Sequence, residues 1–139
     1  MDIGAAITVQ SHATQKHCPT RISVVAGQKY KFQVQDTVQW VDKTIKCGAS
    51  GWKAADVISF FKRPFFAMKE GDRRHPEANW FELLGNIDRN DATIFRVCDC
   101  IDEPFMVSQS GELFLFPNDL ADYYDNNRGF LEVTVTRIA

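Results

Sequence analysis

Apolar and polar residues alternate in short runs along most of the chain, and a period of two is the pattern of strands with one buried face. Ile3 to Val9 alternates loosely before the polar stretch SHATQKHCPT, a loop expected to close at Pro19. Arg21 to Val25 is rich in β-branched residues, Ala26-Gly27-Gln28 reads as a turn, and Tyr30, Phe32 and Val34 alternate with Lys31, Gln33 and Gln35. That pattern predicts a hairpin with one wet face. Val38 to Val41, with Trp40, continues it. From Asp42 to Gly51 the apolar period is lost, Gly48, Ser50 and Gly51 accumulate, and the chain is expected to leave the sheet.

The next apolar cluster, VISFFKRPFFAM from Val57 to Met68, is split by Lys62-Arg63-Pro64, and the proline argues against an uninterrupted helix or a central strand. Either it covers the core as a loop, or it makes a protein or apolar-ligand contact, the Phe-rich stretch from Asp56 to Met68 being expected as a subunit contact or a lid before a sugar pocket. Beyond the charged turn KEGDRRHPEAN, Trp80 to Ile87 and Ala92 to Val97 predict two strands joined by the turn Asp88-Arg89-Asn90-Asp91. Phe105 to Val107 predicts a short one, and Glu112 to Phe116 and Phe130 to Val135 the last two. Eight or so short strands without a period of 3.6 predict an all-β chain folded as an antiparallel β-sandwich or jelly roll. No internal repeat or low-complexity linker interrupts it, so residues 1–139 are expected to form one domain.

At 139 residues and 45% hydrophobic content the chain can bury one proper core. A formal net charge of -2 supplies no basic field for contacts with phosphates, so no nucleic-acid partner is expected. No run approaches the roughly 18 apolar residues of a membrane span, which argues against membrane insertion. The opening MDIGAAITVQ has no basic region followed by a long apolar one. The expectation is a chain cytoplasmic at synthesis and without a signal peptide, with release or cell-surface association as later fates. Cys18, Cys47, Cys98 and Cys100 form no C-x-x-C pair and are expected as mostly buried, reduced thiols, a Cys98–Cys100 bridge being disfavoured.

Candidate chemistry gathers in the polar loop Asn118 to Gly129. Asp119, Asp122, Asp125, Asn126 and Asn127 supply oxygen acceptors there, with no lysine among them. Hard cations such as Ca²⁺ take such oxygens, and Asp and Asn also favour turns for their own sake. The EF-hand spacing is absent, so any ion must borrow ligands from elsewhere in the fold. Cys47, Cys98, Cys100 and His75, with Asp72 or Asp102, could supply a nucleophile, base and orienter, but no nucleophile elbow or cysteine signature accompanies them, and no enzyme is expected. His12, His17 and Cys18 suit no common zinc spacing.

Two motifs in order, GDRRHPEANWFELLGNI at 71–87 and GELFLFPNDLADYYDNNRGFLEVTV at 111–135, carry a resemblance. They resemble the calcium-dependent galactophilic lectin family typified by the PA-IL lectin of Pseudomonas. The matching residues are Gly71-Asp72, His75-Pro76, Leu84-Gly85-Asn86-Ile87, Asn118-Asp119 and Asn126-Asn127-Arg128-Gly129, and Gly27 to Trp40 fits the family's first hairpin. The resemblance implies a galactose-binding-domain-like β-sandwich without catalytic turnover. It implies a Ca²⁺ held by the side chains of Asp119, Asn126 and Asn127 and the carbonyls of Tyr123 and Lys43, with two sugar hydroxyls completing the shell. A sugar-binding set of His75, Asp119, Leu120, Tyr123 and Asn126 follows, with His75 donating to the exocyclic hydroxyl. The implied partners are galactose-containing glycans, bound by a homo-oligomer, dimer or tetramer.

This chain also departs from the family. Ala78 stands where the founding member has a glutamine contact, Asp122, Tyr123 and Tyr124 fill a loop that is smaller there, and Arg128 replaces a small residue beside the ion. Ala78 and Arg128 support an alternative: a β-sandwich interaction or accessory module with a structural Ca²⁺ and no sugar binding.

Overall fold

Alternation along the chain resolves into two facing antiparallel sheets, described in a computed structural model over residues 1–57, 62, 64 and 68–139. The first sheet runs β1 (Ala6–His12), β11 (Phe130–Arg137), β3 (Lys29–Val34) and β8 (Phe105–Met106). The second runs β2 (Cys18–Val24), β9 (Gly111–Pro117), β6 (Leu83–Ile87) and β7 (Asn90–Arg96). Between them lies the core, where Leu131, Val133 and Val135 of β11 and Phe32 of β3 meet Leu113 and Leu115 of β9, all nearly inaccessible. This is the antiparallel β-sandwich that the pattern predicts. Among the described residues no helix is long and apolar enough to cross a membrane.

Several boundaries differ from expectation, each for a reason that can be named. The first strand is displaced to Ala6–His12 because its whole length pairs with β11, from Ala6 opposite Thr136 to His12 opposite Phe130. β2 begins at Cys18 rather than after the expected loop: Cys18, Thr20, Ile22 and Val24 alternate inward, and Pro19 is tolerated because β2 is an edge strand. The chain does leave the main sheets at Asp42. It then builds a third, small sheet of β10 (Asn127–Arg128), β4 (Trp40–Asp42) and β5 (Ile45–Cys47), strands too short for any period to show. Most of the Phe-rich stretch expected to act as a cover, subunit contact or lid falls outside the described residues.

The outer face of the second sheet is also covered. Phe114 and Phe116 point away from the core yet are 3% and 0% exposed, which explains why β9 reads LFLF with no polar alternation. The Arg74 guanidinium lies 3.6 Å from the Phe116 ring centre, and His17 packs edge-on against Phe114 and Phe116. Arg74 also donates to Lys16 O, to the Tyr124 hydroxyl and to Asp91, tying two loops and the start of β7 to this face.

Glu82 is 1% exposed and is held by Arg96, whose Nε and Nη2 donate to its two carboxylate oxygens at 2.7 and 3.0 Å. Removing the cation strands a buried charge, whereas neutralising the acid strands only a half-exposed one. Arg96→Met is therefore expected to cost about 3 kcal/mol and Glu82→Gln clearly less. Urea unfolding of the two variants checks the order.

All four cysteines are free, with Cys18, Cys47 and Cys100 buried and Cys98 half-buried. Burial pushes the Cys47 and Cys100 thiols up to about 12, the reverse of an activated nucleophile. Cys18 Sγ donates to Gln10 O, and no three His, Cys, Asp or Glu side chains are grouped as metal ligands among the described residues.

Candidate functional site

The acidic loop starts where β9 ends, and its first residue fixes its path. Asn118 is fully buried. Its Nδ2 donates to the carbonyls of His75 and Asn79, each at 2.9 Å, and more weakly to that of Ala78, while its Oδ1 accepts from His75 N at 3.0 Å. Main-chain bonds to Phe81 and Glu82 complete the clamp. The turn at residues 75–79 is thus sewn to the end of β9 by one side chain.

Asp119 follows, 4% exposed. Its Oδ1 accepts from Leu120 N at 2.7 Å and its Oδ2 from Asn127 Nδ2 at 3.1 Å. Burial raises its carboxyl above the ordinary aspartate range, against the pull of those two donors. Asn127 also donates to Ala13 O at 3.0 Å, and its own Oδ1 is buried with no hydrogen-bond partner among the described residues. Between them Tyr124 turns inward. Its hydroxyl donates to Pro117 O at 2.7 Å, accepts from Arg74, and is pushed by burial up to about 12.

Asp42 completes the cluster from the small sheet, where it stands directly opposite Asn127 across β4 and β10. Its Oδ2 accepts from Trp52 Nε1 at 3.1 Å. Burial and then the charge of Asp119 push its carboxyl up to about 6. The Trp52 ring stacks on Trp80 with centres 5.6 Å apart and planes 12° from parallel, and the Arg73 guanidinium lies over Trp80 at 5.0 Å.

These groups border one cavity of about 470 Å³. Asp119, Leu120, Tyr123 and Asn126 line it from the acidic loop, Asp42, Lys43, Thr44 and Ile45 from the β4–β5 hairpin, and Trp52 and Trp80 form an aromatic wall beside Lys62 and Lys69. Tyr123 is 52% exposed at the rim. Of the residues expected at the ion, Asp119, Tyr123, Asn126 and Lys43 line this cavity, and Asn127 lies against it through its bond to Asp119. Arg128 Nη2 reaches the Lys43 carbonyl at 3.5 Å.

His75 is placed elsewhere. It borders a second, open depression with Glu77, Arg96, Asp99 and Phe105, although its backbone is held by Asn118 beside the acidic loop. Ala78, at the position of the family's glutamine, is 2% exposed and packs on Leu84 and Phe116. Asp122 and Asp125 are exposed. Sequence reasoning overlooked Asp42 and the two tryptophans, because Asp42 precedes a two-residue turn and Trp52 and Trp80 meet across 28 residues of chain through an isolated bridge.

No protein-family model matches the chain, and no curated protein does. Among solved structures it is similar to a chain described as the EclA N-terminal domain, a PllA-like lectin. The two superpose with a TM-score of 0.60 at 15% sequence identity, over 95% of this chain and 97% of that one. At that identity the likeness is one of fold: the described strands form an antiparallel sandwich like that of the similar chain.

Proposed function

We propose that this chain is a carbohydrate-binding lectin that holds galactose or a galactoside through a Ca²⁺ ion at the cavity between the acidic loop and the β4–β5 hairpin. The observation that carries the reading is the Asn127 amide. One end holds Asp119, and the other presents a buried oxygen that no donor among the described residues satisfies, as a cation ligand would. The donor set fits the ion: the carboxylate of Asp119, the amide oxygens of Asn126 and Asn127, and the carbonyls of Tyr123 and Lys43 are all hard oxygens. A bound Ca²⁺ supplies coordination positions that two neighbouring sugar hydroxyls can fill. Leu120 and Tyr123 would flank the sugar, and the Trp52–Trp80 wall offers an apolar surface for a sugar face or aglycone. Single-site affinity for a sugar would be modest, and a dimer or tetramer would raise it by avidity.

The test is calorimetric titration of galactose and glucose with Ca²⁺ present and then chelated. Heat with galactose that vanishes on chelation, and vanishes in Asp119→Ala along with calcium binding, is the expected result. No heat from either sugar, with calcium still raising the melting temperature, would sink the sugar half of the reading. A specific observation favours that outcome as a second reading. With His75 at the other depression and Ala78 buried, neither family position contributes to the lining of the cavity. The sandwich would then be an interaction module with a structural ion.

A further inference from the structure

Building on the function proposed above, we infer that Asp42 is a second carboxylate of the cation site, so that a bound Ca²⁺ faces two side-chain charges rather than the one the acidic loop provides. Residues directly opposite in an antiparallel pair carry their side chains on the same face, with Cβ atoms about 4.5–5.5 Å apart. Asp42 and Asn127 are such a pair. Asn127 Nδ2 donates to Asp119 Oδ2 at 3.1 Å, and Asp42 and Asp119 line the same cavity. The Asn127 Oδ1, in a residue 2% exposed, is buried and has no hydrogen-bond partner among the described residues. Three acceptor groups thus converge, and among the described residues neither carboxylate has an ion-pair partner. Like charges and an orphaned acceptor brought together away from water are costly unless a cation takes them.

The surroundings suit a ligand better than a chance neighbour. Trp52 Nε1 donates to Asp42 Oδ2 at 3.1 Å and fixes the carboxylate plane, while Oδ1 makes no hydrogen bond among the described residues. Such an outer partner holding one oxygen of a ligating carboxylate is a common feature of metal sites. All the donors are oxygens, which selects a hard ion such as Ca²⁺ over zinc or copper. The Arg128 contact to the Lys43 carbonyl draws on the one hairpin group that the acidic loop's own ligand set relies on. Asp42, one residue earlier on the same hairpin, supplies a stronger one. Two carboxylates neutralise a divalent ion, so calcium should bind without sugar.

The experiment is terbium luminescence, with Tb³⁺ standing in for Ca²⁺ and Trp52 as the nearby sensitiser. Calcium affinity is read by competition, and ion-free melting temperatures are recorded in parallel. In the wild-type chain, sensitised emission should appear without sugar and be competed away by Ca²⁺. Asp42→Asn should weaken calcium about 10- to 100-fold, and Asp42→Ser, which leaves no amide oxygen to ligate, at least as much. Asp42→Asn, which keeps an acceptor for Trp52 Nε1, should not lower the ion-free melting temperature, because a like charge beside Asp119 has gone; Asp42→Ser also gives up that bond and is expected to melt lower. Unchanged calcium affinity in both variants, with Asp119→Asn still abolishing it, overturns the role of Asp42 and leaves the loop site standing. A wild-type chain that takes up neither ion overturns both. Calcium binding that depends on Asp42 but is accompanied by no sugar heat supports the inference and removes only the sugar.

Discussion

Asn118→Asp, almost isosteric with the natural residue, is expected to be among the most destabilising single changes in this protein, at about 3–5 kcal/mol near neutral pH. The natural amide donates to the carbonyls of His75, Asn79 and Ala78 from a position with no solvent exposure. A carboxylate there turns two close attractions and one weak one into repulsions and is itself desolvated. It would keep only the bond from His75 N at 3.0 Å. Its pKa in the folded state must then rise above that of the unfolded chain. The sign follows: the deficit is largest at neutral pH and shrinks as pH falls through the raised folded-state pKa, until below the ordinary aspartate value the new carboxyl is protonated in both states and can donate one hydrogen bond. Asn118→Ala loses the same donors without adding a charge, so it should be the milder variant at pH 7 and lose that advantage in acid. Urea unfolding at pH 7 and pH 5 separates the two. Equal stability of Asn118→Asp and wild type at pH 7 would mean that the 75–79 turn is not held as described. Faster hydrogen exchange at His75 N in both variants would localise the damage.

Asn118 also shows where reading the sequence stops. The pair Asn118-Asp119 is visible as a motif, but its two members have opposite tasks: one side chain clamps a distant turn and the other faces the cavity. Residue types name the chemistry available, while partners far along the chain decide its use. The sandwich itself was legible because alternation reports burial directly, as in Tyr30, Phe32, Leu131, Val133 and Val135. The acidic loop was legible because it concentrates acceptors. The second covering of β9 was not, since the groups that bury Phe114 and Phe116 include Arg74 and His17, polar residues that look solvated in isolation. Asp42 was hidden for the same reason. Nothing around it is periodic, and its place beside Asp119 comes from two- and three-residue strands that only the folded chain aligns.

Gly51→Ala is expected to approach Asn118→Asp in cost and to act on the other wall of the cavity. Gly51 has φ +66°, and a Cβ there would lie 2.1 Å from Trp80 O, 2.5 Å from Glu82 N and 2.8 Å from the Phe81 carbonyl carbon. Every one of those atoms is backbone, so no side chain can rotate away and the two segments must separate. They are joined by Trp52 N donating to Trp80 O at 2.7 Å and Leu83 N donating to Ala49 O at 2.9 Å. Separation would therefore loosen the bridge that stacks Trp52 on Trp80 and, with it, the indole that holds Asp42. A loss of about 3 kcal/mol corresponds to roughly 10 °C in melting temperature for a domain of this size. Gly48→Ala is the matched control: it lies three residues earlier, has no positive φ and finds nothing within 4 Å of its added Cβ. It should melt within about 2 °C of wild type and could gain slightly by restricting the unfolded chain. Far-ultraviolet circular dichroism reads the stacked indole pair through its exciton couplet, which should fall in Gly51→Ala and persist in Gly48→Ala. If both glycines tolerate alanine equally, the close approach of residues 49–52 to 80–83 is wrong, and with it the aromatic wall. If Gly51→Ala alone is unstable and also loses calcium affinity, the wall and the cation site are one mechanical unit, coupled through the single hydrogen bond from Trp52 to Asp42.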